Sequence, residues 1–190
     1  ATPFAEDLKV DTPVSIYAAT KKTNELLAYT YSHLFDINTI GLRFFTVYGP
    51  YGRPDMAYFS FTKSILSEEA IKVFNGGNLS RDFTYIEDII EGISQICNKL
   101  LKSSLIDVKS YEIYNIGNSR PVKLMDFIYT LEKALDKRAL IEFVPMQAGD
   151  VHTTYADVSK LKAAFGYAPS TTLEQGITKF VKWYKEYYVE

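Results

Sequence analysis

The sequence predicts an α/β fold, and three observations support this class. Segments with the apolar period of a helix alternate along the chain with short β-branched and aromatic segments, as they do in α/β proteins. One of the short segments, NTIGLRFFTV at 38–47, shows little polar alternation and therefore resembles a strand covered on both faces. Hydrophobic residues make up 47% of the 190 residues, which is enough for a core of this size.

The first predicted element is a helix at 15–35. Ser15 suits its N-cap position, and apolar residues recur at helical spacing through the segment. The strand at 38–47 follows. YGPYGRPD at 48–55 is predicted as a loop because it holds two glycines and two prolines. A helix at 56–68 completes this part of the chain.

The rest of the chain continues the alternation of strands and helices. GGNLS and MQAGDVHTTYAD are polar or glycine-containing and are predicted as a turn and a loop. Proline at 121 precedes one of the helices. We predict strands at 71–75, 111–117 and 140–145, an extended segment at 81–86, and helices at 87–102, 122–137, 158–165 and 172–188.

Composition argues against several kinds of function. The formal net charge of −2 argues against a broad basic surface for nucleic acid. No apolar run approaches the roughly 20 residues that a membrane-spanning helix needs. Cys97 is the single cysteine, so no internal disulfide can form, and a reducing, cytoplasmic setting fits the sequence.

The cysteine and the two histidines are not placed as reactive groups. Cys97, in IIEGISQICNKLL, falls on the apolar side of a helical pattern, which predicts a buried structural thiol rather than a nucleophile. His33 and His152 are far apart in the sequence and lack the spacing of metal ligands. We therefore predict that the protein holds no metal.

One helical pair has the chemistry of an acid–base catalyst. Tyr17 and Lys21 are four residues apart in the first predicted helix, so their side chains share a face. A lysine ammonium close to a phenol favours the phenolate, and a cationic cofactor nearby would favour it further. Such a phenolate can take the proton of a sugar hydroxyl while hydride leaves the same carbon atom.

The Tyr-x-x-x-Lys spacing alone is weak evidence. The composition predicts about one such pair by chance, and the sequence holds a second, Tyr129–Lys133. That second pair lies in an ordinary amphipathic helix and is interpreted as structural. Tyr17–Lys21 instead precedes an apolar strand and a loop rich in glycine and proline. This context favours a site, because α/β sheets bind ligands beyond the carboxyl ends of their strands.

Four motifs, in this order and spacing, carry a family resemblance. They are SIYAATK at 15–21, GLRFFTVYGPYGRPDMA at 41–57, RDFTYIEDIIEG at 81–92 and YNIG at 114–117. Together they resemble the extended short-chain dehydrogenase/reductase family, and most closely its UDP-glucuronate 4-epimerase branch. The resemblance runs over nearly the whole chain.

The resemblance implies a fold and a domain organisation. The fold would be the C-terminal part of a Rossmann-type doubly wound sheet plus a smaller α/β substrate-binding domain. Residues 1–50 would be the last part of the NAD-binding Rossmann domain, and 51–190 would bind the UDP-sugar. The segment 86–117 would pack back on the Rossmann sheet.

The resemblance also implies roles for single residues. Tyr17 matches the catalytic base, and Lys21 matches the residue that favours its ionised form and holds the nicotinamide ribose of NAD. The backbone of Phe44 would lie near the nicotinamide. The implied substrate-binding positions are Thr46 at the sugar or its carboxylate, Arg53 at an acidic sugar, Val73 and Phe74 along the uracil, Arg81 at the diphosphate, and Gln147 and Asp150 near the phosphates and the uridine ribose.

The residue types agree with these roles without requiring them. A guanidinium fork suits a diphosphate, and two of the five arginines, Arg53 and Arg81, lie in or beside glycine-containing loops. Each arginine could instead be a solvated loop charge. Asp150 follows Gly149 and could be a turn residue.

The implied activity is the NAD-dependent interconversion of UDP-glucuronate and UDP-galacturonate. A UDP-neutral-sugar 4-epimerase, a UDP-glucuronate decarboxylase and a non-catalytic UDP-sugar-binding fragment are alternatives. The sequence contains no G-x-x-G-x-x-G loop for the dinucleotide phosphates. We therefore expect the chain to be the C-terminal portion of a longer enzyme and to be inactive alone. We also expect a homodimer through the helix that carries Tyr17 and Lys21, because that helix would lack packing partners.

Overall fold

A computed structural model describes residues 2–102, 111–147 and 149–189. Helices and strands alternate through these ranges, which confirms the predicted α/β class. The helices are α1 (Ile16–Phe35), α2 (Ala57–Leu66), α3 (Ile86–Lys102), α4 (Leu124–Leu135), α5 (Ser159–Phe165) and α6 (Leu173–Tyr188), with a 3-10 turn at Asn75–Gly77. The strands are β1 (Thr39–Phe44), β2 (Thr46–Tyr48), β3 (Ala70–Phe74), β4 (Ser80–Tyr85), β5 (Tyr111–Ile116), β6 (Pro121–Lys123) and β7 (Leu140–Val144).

Parallel strand pairs dominate the sheet structure. β1 pairs with β5 and β3 pairs with β7, both in parallel and each over its full length. β2 pairs with β4 in parallel, and β6 adds to the other edge of β4 in the antiparallel direction. Strands that are distant in sequence therefore lie side by side, and the helices between them make the crossovers.

The predicted single strand at 38–47 is wrong, because the chain changes sheets at Phe45. β1 ends at Phe44 and pairs with β5, whereas β2 begins at Thr46 and pairs with β4. Phe45 bridges the two, since its backbone N–H donates to the carbonyl of Ile116 at 3.2 Å. β1 is also half-buried rather than covered on both faces, and Phe44 at its end is exposed.

The predicted helix at 122–137 begins two residues later than expected. Pro121–Lys123 forms β6, in which Val122 lies opposite Arg81 of β4. Its three residues are too few to show an alternating pattern in the sequence. The pairing with β4 comes from another part of the chain and is a tertiary contact.

α1 begins where the sequence predicts. The Ser15 side chain accepts a hydrogen bond from the Ala18 backbone N–H at 3.1 Å, so Ser15 is the N-cap. Ser32 is the single residue of α1 that is buried. Most of the large apolar side chains of this helix are exposed, including Leu27 and Leu34.

Two apolar clusters form the core. The larger one joins α2, α4 and α6 to β2, β3 and β4. Tyr48 lies at its centre, and its ring packs so closely on Gly176 of α6 that no side chain larger than hydrogen fits there. The second cluster joins α3 and α5 to β5, with Ile116 and Leu161 fully buried.

The predicted burial of Cys97 is wrong, because its side chain is exposed. The buried stripe of α3 runs through Ile89, Gly92 and Ile96. Cys97 follows Ile96 by one residue and is therefore turned about 100° away from that stripe. It lies on the same side as Ile90, which is also exposed. In the part of the chain that the structure describes, no helix has the length and apolar character of a membrane span.

Candidate functional site

Tyr17 and Lys21 lie together on the first turns of α1. The Lys21 ammonium is 5.1 Å from the centroid of the Tyr17 ring, a cation–π distance. The Tyr17 side chain is 71% exposed, so its hydroxyl is accessible. No such contact joins Tyr129 and Lys133 within the ranges that the structure describes, although both lie on α4. The side chains of the two Tyr-x-x-x-Lys pairs are therefore arranged differently, although the sequence spacing is the same.

Arg53 lies in the loop that follows β2, and it is near Tyr17. Its guanidinium donates two hydrogen bonds to the Asp55 carboxylate, Nε to Oδ1 at 3.1 Å and Nη2 to Oδ2 at 2.8 Å. These bonds raise the pKa of Arg53 and lower the pKa of Asp55. A smaller electrostatic contribution to the Arg53 pKa comes from Tyr17. The loop and the start of α1 are thus within electrostatic reach of each other.

Arg81 and Asp150 are brought together across 69 residues of sequence. Arg81 Nη2 donates to Asp150 Oδ1 at 2.6 Å, and both side chains are largely buried. Arg81 Nη1 also donates to the carbonyls of Ser80 and His152, at 2.9 and 3.3 Å. The guanidinium is therefore held in one place at the start of β4. No local pattern in the sequence predicts this ion pair.

The turn that contains Gln147 and Asp150 lies against the segment before α1. The Asp150 backbone N–H donates to the Gln147 carbonyl at 3.2 Å, and Gly149 has a left-handed φ of 78°. A side chain at Gly149 would meet the Val14 carbonyl oxygen at 4.0 Å. Asp150 is consequently both a turn residue and an ion-pair partner, and its turn is close to the helix that carries Tyr17.

The other predicted site residues differ in how exposed they are to a ligand. Phe44 is exposed at the carboxyl end of β1, and Thr46 is half-buried at the start of β2. The predicted uracil contact of Val73 does not fit this structure, because the whole residue is buried in the core and neither its side chain nor its backbone is open to a ligand. Phe74, at the end of β3, is half-buried.

Asp82 was missed in the sequence, and it organises the loops beside Arg81. Its buried carboxylate accepts hydrogen bonds from the backbone N–H groups of Asn118, Ser119 and Ala156, at 2.8, 3.0 and 2.9 Å. Burial raises the pKa of Asp82, and the three bonds oppose that shift. The motif RDFTY contains this acidic residue inside a strand, which could have indicated a buried role. From the sequence, a role in this motif is predicted for Arg81 alone.

A second missed group holds α1 to β1. Arg43 donates to both carboxylate oxygens of Glu25, at 2.7 and 3.0 Å. Glu25 follows Lys21 by four residues, so it continues the face that carries Tyr17 and Lys21. The Tyr111 hydroxyl donates to the Glu25 carbonyl at 2.9 Å. These bonds set the position of the Tyr17–Lys21 pair relative to the end of β1.

The described residues fit the nicotinamide end of NAD. Lys21 has an exposed ammonium that forms no salt bridge with any described residue, so its N–H donors are available to ribose hydroxyls. Phe44 is exposed at the carboxyl end of β1. For metals, the described part of the chain holds no group of three or more His, Cys, Asp or Glu side chains that could bind an ion.

Comparison with known proteins identifies similar chains. The model of the NAD dependent epimerase/dehydratase family matches residues 1–117. An uncharacterized protein of Methanocaldococcus jannaschii is 54% identical over 184 residues, which cover 97% of this chain and 54% of that protein. UDP-glucuronate 4-epimerase 1 of Arabidopsis thaliana is 47% identical over 195 residues, which cover 98% of this chain and 46% of that protein.

The fold is shared with solved structures. The crystal structure of UDP-glucuronic acid 4-epimerase from Bacillus cereus, in complex with UDP-glucuronic acid and NAD, superposes with a TM-score of 0.87 at 34% identity. The match covers 97% of this chain and 57% of that one. This chain therefore spans about half the length of the curated relatives it matches.

Proposed function

The chain belongs to the NAD dependent epimerase/dehydratase family, as its motifs predicted, and on that premise we propose that the protein interconverts UDP-glucuronate and UDP-galacturonate. The observation that carries this proposal is one constellation around the start of α1. An accessible Tyr17–Lys21 pair lies near the Arg53 loop and near the turn that ends in Asp150, the partner of Arg81. An acid–base pair, two guanidinium groups and the Asp150 carboxylate thus come from four separate parts of the chain.

In the proposed reaction Tyr17 acts first as the general base and then as the general acid. Its phenolate takes the proton from the hydroxyl on carbon 4 of the sugar, and its phenol returns that proton at the end of the cycle. NAD, when bound, supplies the oxidant that accepts hydride from carbon 4 and gives it back. The 4-keto sugar turns over between the two steps, so the configuration at carbon 4 is inverted. Lys21 donates to a ribose hydroxyl of the cofactor and lies beside the Tyr17 ring.

The two guanidinium groups have binding roles in this proposal. Arg81 is fixed by Asp150 and by two carbonyls, and a fixed guanidinium suits the diphosphate. Arg53 is exposed near Tyr17 and is assigned to the sugar carboxylate. Thr46 is assigned to the sugar, Phe74 to the uracil, Gln147 and Asp150 to the uridine ribose and phosphates, and Phe44 to the nicotinamide. Val73 is buried and supports Phe74 from the core.

Substitution of Tyr17 tests the reaction. Tyr17→Phe removes the acid–base oxygen, and we expect turnover to fall by about 10²- to 10⁴-fold, the usual contribution of a positioned general base. Conversion is followed by proton NMR with UDP-glucuronate and NAD+. Tyr129→Phe is the matched control, since it changes the other Tyr-x-x-x-Lys pair, and should leave turnover unchanged. Comparable turnover in the Tyr17 variant would exclude Tyr17 as the base.

The same time course tests which molecule carries the activity. The 190-residue chain is run beside the protein as its cells produce it. Conversion by the cellular form alone would give this chain a substrate-binding role within a larger enzyme. Conversion by neither form, with UDP-glucuronate still bound, would favour a UDP-sugar-binding protein over an epimerase.

We also propose that the protein forms a homodimer through α1. Leu27, Tyr31 and Leu34 recur at positions i, i+4 and i+7, and all three are exposed. They lie on the side of α1 away from Glu25, which faces β1. An apolar helical stripe of this spacing packs well against its own copy.

We further propose a cytoplasmic location. Cys97 is an exposed free thiol, which suits a reducing compartment. Fractionation of the cells followed by immunodetection tests this, and recovery from an oxidising compartment would contradict it.

A further inference from the structure

A tight turn holds Arg53 and Asp55 next to each other. The Met56 backbone N–H donates to the Arg53 carbonyl at 3.2 Å, which closes a four-residue turn with Pro54 and Asp55 at its centre. Proline at the second position fixes its own φ and so stiffens the turn. The preceding Gly52 packs under the Tyr58 hydroxyl so closely that a side chain there would overlap it. The turn is therefore seated on the first residues of α2.

The ion pair uses one of the two binding edges of the guanidinium. Asp55 accepts from Nε and Nη2. The other edge is formed by Nη1 and the second N–H of Nη2. Among the described residues, Nη1 has no hydrogen-bond partner, and the Arg53 side chain is 73% exposed. Nη2 also donates to the thioether Sδ of Met56 at 3.9 Å, a weak acceptor that a carboxylate displaces. Because each edge can receive a planar carboxylate with two parallel bonds, one such place is still available.

The pair contributes little to holding the fold together. Both partners are on the surface, where ion pairs are screened and add little stability. The backbone turn and the Gly52–Tyr58 contact already define the loop. What the pair does fix is the plane of the Arg53 guanidinium, which would otherwise rotate about several bonds on an exposed side chain.

We infer that Asp55 is a positioning residue for Arg53, an inference that rests on the proposed function. Asp55 holds the Nε–Nη2 edge, and the Nη1–Nη2 edge is thereby aimed to receive the carboxylate of an acidic nucleotide sugar. The chain thus distinguishes acidic from neutral UDP-sugars through two residues of one turn, with Arg53 making the contact and Asp55 setting its angle. Pro54 keeps the two at the required separation.

A competing role for Asp55 predicts the opposite change in the affinity for acidic sugars when Asp55 is removed. If Asp55 instead occupied the place of the sugar carboxylate, its removal would free Arg53 and improve the binding of acidic sugars. If Asp55 positions Arg53, its removal leaves the guanidinium mobile and weakens that binding. The binding of UDP-glucose, which has no carboxylate, reports effects that are unrelated to this contact.

The experiment measures the dissociation constants of UDP-glucuronate and UDP-glucose by calorimetry, with NAD+ present, in the protein as its cells produce it. We expect Asp55→Asn to reduce the preference for UDP-glucuronate over UDP-glucose by up to about tenfold, the effect of immobilising one additional flexible side chain on binding. Pro54→Ala keeps the Asp55 charge and should reduce the preference in the same direction, by less. Glu68→Gln is the control, because it breaks another exposed pair, with Lys137, and should change nothing.

Arg53→Ala distinguishes a failure of the inference about Asp55 from a failure of the proposed contact between Arg53 and the sugar carboxylate. A lost preference in Arg53→Ala together with an unchanged or increased preference in Asp55→Asn overturns the inference and leaves the proposed function intact. An unchanged preference in Arg53→Ala removes the carboxylate contact itself, and the inference fails with it. A protein that binds neither sugar contradicts the proposed function.

Discussion

Asp82 is the residue on which the loops around Arg81 depend. Its carboxylate receives three backbone N–H groups, from Asn118, Ser119 and Ala156, and its own N–H donates to the Thr154 hydroxyl at 3.0 Å. A carboxylate is suited to this place because it accepts hydrogen bonds at both oxygens. The segment that contains Thr154 and Ala156 also contains Asp150. The bonds of Asp82 to that segment therefore also support the Arg81–Asp150 pair.

Asp82→Asn should destabilise the protein by about 2 to 3 kcal/mol. The asparagine amide has one accepting oxygen, so its NH₂ group would face at least one buried N–H donor and leave it unpaired. The free energy of unfolding is measured in urea. Asp7→Asn, at an exposed position, is the control. A loss no larger than that of the control would show that water or rearranged loops replace the bonds of Asp82.

At the scale of elements, α1 is attached by polar contacts rather than by buried aliphatic side chains. The Glu25–Arg43 pair and the Tyr111 bond to the Glu25 carbonyl join it to β1 and β5. Tyr29 adds an edge-to-face contact with Tyr111, with ring centroids 5.4 Å apart. The orientation of Tyr17 and Lys21 therefore depends on a few directional bonds.

Acid should loosen α1 through Glu25. Its hydrogen bonds to Arg43 hold the pKa of Glu25 below its ordinary value of 4.5. A depressed pKa contributes stability that is complete above the ordinary value and is lost as pH falls through the lowered one. We expect amide hydrogen exchange in α1, corrected for the intrinsic rate, to accelerate as pH falls below about 4.5.

Glu25→Gln should remove that pH dependence. At neutral pH it should lower the free energy of opening α1 by about 1 to 2 kcal/mol, because a charge-assisted bidentate pair is lost. Glu186→Gln on α6 is the control, since that residue makes a long, exposed pair with Lys182 at 3.8 Å. Equal exchange in the Glu25 variant and the wild type would assign the attachment of α1 to the Tyr29–Tyr111 contact instead.

At the scale of the whole molecule, α1 presents two faces with different roles. The face with Tyr17, Lys21 and Glu25 turns toward the strand end and the proposed site. The stripe of Leu27 and Leu34 turns to solvent. A dimer that covers the stripe would hold α1 from behind and so support the site without contributing to it.

Leu27→Glu should weaken this dimer. A charge placed in an apolar interface loses its hydration, so we expect the dimer dissociation constant to rise by more than about tenfold, which corresponds to about 1.4 kcal/mol. Sedimentation equilibrium measures the change. Tyr129→Glu replaces an exposed aromatic residue on α4 and serves as the control. If both variants assemble like the wild type, the stripe is not the interface.

Local sequence predicted most of the elements and suggested candidate site residues. The N-cap at Ser15, the order of strands and helices and the alternation typical of an α/β protein follow from short-range preferences, which neighbouring residues express without the rest of the chain. The family could be recognised from the sequence because the order and spacing of four motifs match its pattern. The chemistry of Tyr17 and Lys21 followed from their shared helical face.

The way in which distant segments combine depends on tertiary contacts. The break at Phe45 exists because β1 and β2 have different pairing strands, and Cys97 is exposed because the neighbouring Ile96 faces β5 and α5. The Arg81–Asp150 pair joins residues that are 69 positions apart in the sequence. Sequence periodicity reports which face of an element is apolar, whereas strand partners and ion pairs depend on contacts between segments that no local pattern encodes.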